Sequence, residues 1–123
     1  MPVFAQKIIH QLQRMPSAHC DSLVYIAAAD ILSIAHVKGY STGGLFPELD
    51  HEGATVEEAD TIRFRLNDIV SHSSSPADLA AARFALEQAN RSIFYSKQRN
   101  ASIDSSLSDF PYNGILPDLK NCG

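Results

Sequence analysis

Thr55-Val56-Glu57-Glu58 and Ser75-Pro76-Ala77-Asp78 each open a long stretch with apolar residues at helical spacing, and together they decide the fold class. In the first, the Thr55 hydroxyl is placed to accept from a backbone N–H of the first turn. Glu58 reaches back to the Thr55 N–H, which completes a capping box. In the second, Ser75 caps, Pro76 takes the first helical position where no N–H is needed, and Asp78 suits the positive end of the helix dipole. After Thr55, the residues Val56, Ala59, Ile62, Leu66, Ile69 and Val70 form one stripe, which predicts a helix over 56–72. Phe64 lies off that stripe: at about 100° per residue it points almost directly away. After Ser75, the stripe Leu79, Ala82, Leu86, Ala89 and Ile93 predicts a helix over 76–98, with Phe84 and Tyr95 expected together on its opposite side.

Upstream, Phe4, Ile8, Ile9, Leu12 and Met15 give an amphipathic helix from Pro2 to Met15, ended by Pro16, with Ser17 as the expected cap of the next. Residues 18–38 are apolar over most of their circumference, from Leu23 through Ile31 to Val37, so this segment is expected to be the buried central helix, ended near Gly39. Residues 39–53 form a long connection in which Glu48 to Glu52 suit a short helical turn. Its Tyr40, Leu45 and Phe46 are expected to fold back over the core rather than to form an exposed tip.

The fold expected is therefore all-α: a four-helix bundle-like single domain with a helical core over residues 1–99. The irregular C-terminal segment, 100–123, carries Leu107, Phe110, Tyr112, Ile115, Leu116 and Leu119 and is expected to pack on the core or on a partner.

A chain of 123 residues suffices for an ordinary core. Its formal net charge of −4, with ten scattered basic residues, argues against nucleic acid as a partner. No run is long and apolar enough to span a bilayer, and the start Met-Pro-Val-Phe lacks the order of a secretory signal, so a cytoplasmic protein with no membrane partner is expected. Cys20 and Cys122 have neither metal-ligand spacing nor a disulfide framework, and both thiols are expected reduced, a Cys20–Cys122 bridge being the alternative.

The candidates for chemistry are sparse. Asp30, Ser33 and His36 have the residue types of a hydrolytic triad, but Asp30 and His36 are turned about 120° apart on one helix with the serine between them. They read as a polar stripe. Cys20 near a helix start has the setting of an activated thiolate, yet His19 is turned away from it and a small buried cysteine is the commoner case. Gly43-Gly44 has no following lysine and reads as a turn. Asp68 and His72, four apart, share a helix face and offer half of a ligand site. No set of four metal ligands can be assembled, and neither a metal nor a cofactor is expected.

Arg63 and Arg65 flank Phe64, and Arg91 lies near Phe84 and Tyr95. Aromatic residues beside arginine are the composition of protein contact surfaces. The interface expected from sequence is thus Phe64, Phe84, Arg91 and Tyr95, and the function expected is a protein–protein interaction module (an adaptor, inhibitor or chaperone-like accessory protein), self-associating as a homodimer. The alternative is a small enzyme or ligand-binding protein with its site between the 39–53 loop and the end of the 56–72 helix.

Overall fold

A computed structural model describes residues 3–15 and 20–101, with side chains through residue 97. The expectations placed on Ser17, His19, Cys122 and the C-terminal residues from 102 onward lie outside the described residues. Within them the chain is all-α, with no strand. Five helices follow in order: α1 (Val3–Gln13), α2 (Ser22–His36), α3 (Pro47–Glu52), α4 (Val56–His72) and α5 (Pro76–Ala101).

Local chemistry sets the helix starts. The Thr55 hydroxyl accepts from the Glu58 N–H at 3.1 Å and Glu58 accepts from the Thr55 N–H at 2.9 Å, so the capping box is formed. The Ser75 hydroxyl accepts from the Asp78 N–H at 3.3 Å, and α5 begins on Pro76. Asp21 caps α2, its carboxylate accepting from the Leu23 N–H at 3.1 Å. The central helix therefore starts later than its apolar content suggested. The turn foreseen at 48–52 is the short helix α3, closed by Gly53 at φ 73°, a conformation that favours a residue without Cβ.

Every residue of α2 from Val24 to Ser33 is buried, and α2 packs on α1, α4 and α5. Helices α4 and α5, joined by three residues, are neighbours, and α1 lies against α2, α3 and α4. The buried side of α5 differs from the expected stripe. Ala81, Ala82, Phe84, Ala85 and Ala89 are enclosed, whereas Leu79, Leu86 and Ile93 are only half-buried. Small residues let α5 approach α2 and α4 closely, so the alanines take the inside and the larger aliphatics flank it. Phe84 is carried inside with them. At 3 % exposure it belongs to the core and not to a second apolar face, which corrects its place in the expected interface.

Two polar features sit in this interior. The Tyr25 hydroxyl donates to Asp78 Oδ1 at 2.6 Å, joining the first turns of α2 and α5 with both side chains buried. Burial pushes the Tyr25 phenol far above its ordinary range, and the hydrogen bond to Asp78 and its negative charge act in the same direction. Gln88 is fully buried, and neither atom of its amide finds a partner among the described residues.

Tyr25→Phe removes the phenol that donates to the buried Asp78 carboxylate and should cost about 1–3 kcal/mol in urea unfolding at neutral pH. The phenol's folded pKa is raised, so its contribution is complete below its unfolded pKa near 10 and is lost as pH rises beyond it. The stability gap between wild type and Tyr25→Phe should narrow above about pH 10. A gap that stayed constant to higher pH would refute the linkage.

Candidate functional site

Helix α1 is held at its ends from outside itself. Other helices supply both ends. The Phe4 N–H donates to Glu52 Oε1 at 3.0 Å, which puts a carboxylate at the positive end of α1. At the opposite end, Arg65 Nε donates to the Leu12 carbonyl at 3.2 Å and Arg65 Nη2 donates to the Met15 carbonyl. A guanidinium from α4 thus satisfies the carbonyls that the end of α1 leaves open. Midway, Gln6 Nε2 donates to Glu58 Oε2 at 2.8 Å, so the capping-box glutamate also binds α1 to α4. These contacts, from Gln6–Glu58 to Leu12–Arg65, run α1 and α4 in the same direction.

The two helices bound an open groove that runs on along α4 alone past the end of α1. Its first stretch, about 320 Å³, is lined by Gln6, Ile9, His10, Gln13, Glu57, Glu58 and Thr61. A second stretch, about 500 Å³, shares Gln13 and Thr61 and adds Asp60, Phe64, Arg65 and Asp68. A third, about 150 Å³, continues past Arg65 and Asp68 to His72, Ser73 and Ser74. Phe64 stands beside the middle stretch, 78 % exposed, where helical spacing had placed it.

Asp68 accepts from Arg65 Nη1 through Oδ2, and its Oδ1 lies 2.9 Å from His72 Nδ1. The pair read from sequence as half a ligand site is therefore the end of a chain that runs from the α1 carbonyls through Arg65 to Asp68 and His72. Among the described residues, no three His, Cys, Asp or Glu side chains converge to hold a metal ion. Asp30, Ser33 and His36 do not engage one another. Asp30 accepts from the Tyr40 hydroxyl at 2.8 Å, Ser33 donates to the Ala29 carbonyl at 3.0 Å, and His36 is exposed.

The remaining expected residues fall in different places. Arg91 is exposed on α5, and Tyr95 is half-buried with its ring edge-on to Phe94, centroids 5.4 Å apart. The 39–53 loop folds back as expected at Tyr40 and at Phe46, whose ring lies 5.4 Å from that of Phe4, but Leu45 is exposed. Asp50 holds this loop by accepting from the Thr42 N–H at 2.7 Å and from the Thr42 hydroxyl at 2.8 Å. The Thr42 backbone bond, with smaller help from the Thr42 hydroxyl, Gly44 and Ser41, keeps the Asp50 carboxyl below its usual range. The loop leads into the start of α4, whereas His72 ends that helix, about 25 Å further on at 1.5 Å per residue. The length of α4 therefore separates the two parts of the location given to the alternative function. Cys20 is disulfide-bonded, against the expectation of reduced thiols, and so is no nucleophile.

Sequence reasoning missed Arg65, which it saw only as a neighbour of Phe64. The available signal was its position beside the buried stripe Ile62, Leu66 and Ile69, where a long cation reaches another element. Comparison with known proteins finds no matching family model, no similar curated protein and no similar solved structure.

Arg65→Ala leaves the last carbonyls of α1 without this donor and should cost about 1.5–3 kcal/mol. Amide exchange should accelerate first in α1, with α2 and α5 little changed. Equal loss of protection in all helices would show that Arg65 does not act as the clamp of α1.

Proposed function

We propose that this protein is a small interaction module, an adaptor, inhibitor or accessory of the chaperone-like kind, whose contact surface is the α1–α4 face around Phe64. The observation that carries the reading is a phenylalanine exposed at the middle of a well-formed helix, beside a shallow groove. Burying such a ring is worth roughly 1.5–3 kcal/mol, enough to anchor a contact. The groove is open along its length, and four of its polar residues, Gln6, Glu58, Arg65 and Asp68, are engaged in holding α1, an arrangement suited to a docking surface more than to catalysis.

Self-association is the second reading, favoured by Phe94, which is 55 % exposed on α5 with Tyr95 beside it. A homodimer through that patch leaves the Phe64 face free, whereas one through α4 occupies it. Phe64→Ser should fold as wild type, because substitutions at exposed positions usually stay within about ±0.5 kcal/mol. It should also lose the complex that wild type forms in the native host, scored by sedimentation and co-purification. A Phe64→Ser protein that keeps every wild-type complex would overturn the reading.

Among the described residues no helix is long and apolar enough to cross a membrane. The cytoplasmic location expected from sequence implied reduced thiols. Disulfides persist where conditions are oxidising, so the bond at Cys20 supports a working compartment outside the reducing cytosol. Alkylation during lysis of native cells checks this: Cys20 should stay unlabelled until a reductant is added, and prompt labelling would return the protein to the cytosol.

A further inference from the structure

We propose that the α1–α4 groove docks a basic segment of a partner protein, with an apolar side chain of that segment set against Phe64. This deepens the interaction-module reading and rests on it.

The charge of the groove argues for the sign of the occupant. Its lining holds four carboxylates, Glu57, Glu58, Asp60 and Asp68, against one guanidinium, Arg65, a formal −3 in a chain whose whole charge is −4. Arg65 turns three N–H groups to the Leu12 and Met15 carbonyls and to Asp68, so its charge is balanced chiefly against Asp68 and leaves the carboxylates at Glu57 and Asp60 unpaired by it. Glu58 is likewise committed to Thr55 and Gln6. Glu57 and Asp60 are exposed and make no side-chain hydrogen bond or ion pair among the described residues, which leaves them to meet a cation. They lie on the same side of α4 as Phe64, three or four residues apart, so one segment along the seam reaches both the ring and the carboxylates. Exposed ion pairs are individually weak. The ring therefore supplies the hold, and the carboxylates select the partner and speed its arrival. A second copy of this acidic chain brings charge of the wrong sign.

The test uses the full chain and two labelled model peptides of about four helical turns, matching the length of α4. Both carry leucine at the same spacing; one has lysine at the remaining positions, the other glutamate. The lysine peptide should shift the amide resonances of Gln13, Asp60, Thr61 and Phe64, and its affinity should fall several-fold between about 50 and about 300 mM salt. Phe64→Ala should weaken it about tenfold or more, and Glu57→Gln with Asp60→Asn should weaken it while flattening the salt dependence. Circular dichroism and melting of each variant would match wild type.

Equal binding of the glutamate peptide at the same residues would overturn the basic-partner inference and leave the interaction surface standing. Groove resonances that move with protein concentration alone would name a second copy as the occupant and overturn it too. Shifts confined to other helices, or no shift with either peptide at about millimolar concentration, would remove the groove as a docking site.

Discussion

The close approach of α5 to α2 is the constraint on which the rest of the structure depends. Both helices bury alanines, Ala27, Ala28 and Ala29 on one and Ala81, Ala82, Ala85 and Ala89 on the other. An alanine brings little apolar area, so a core built this way depends on dense contact between backbones more than on large side chains. The Tyr25–Asp78 hydrogen bond closes this packing at the first turns and fixes the axial position of the two helices against each other. A slip of one residue would bury both groups without partners. Gln88 shows the opposite case, a buried amide without a hydrogen-bond partner among the described residues.

The termini of the later helices were legible because they are written in local chemistry. Thr55, Glu58, Ser75 and Pro76 act within one turn of themselves, and their roles need no knowledge of the rest of the chain. Burial of α2 was equally plain, since a helix apolar on most sides has nowhere else to go. The face of α5 was not legible. A stripe ranked by hydrophobicity selects Leu79, Leu86 and Ile93, whereas closeness of packing selects the alanines between them, and with them Phe84. The role of Asp78 escaped for a related reason, since its partner Tyr25 lies more than fifty residues away.

The candidate site divides in the same manner. Phe64 could be placed on the outer side of its helix from spacing alone. The groove beside it could not, because it exists only where α1 meets α4, and no periodicity states which helices become neighbours. Asp68 and His72 were correctly read as sharing a face, but Arg65, which ties Asp68 to the end of α1, has a meaning that appears only after docking. A bond at Cys20 stood only as the alternative to reduced thiols, because spacing along the chain says nothing about proximity in space.

Helix α1 is short, and it is fastened by Glu52 at one end, Arg65 at the other and Gln6 between them. Polar fastenings of this kind, near the surface, open at lower cost than an alanine-packed interior. Helix α1 also buries Phe4, Ile8, Ile9 and Leu12 in the core, so were this wall to detach, the groove and part of the core would open together. A visitor touching both walls would have to wait for the docked state and would then hold it closed, so occupancy at Phe64 and the persistence of α1 rise together. On the proposed function, occupancy of the groove and a local folding equilibrium become two measurements of a single quantity.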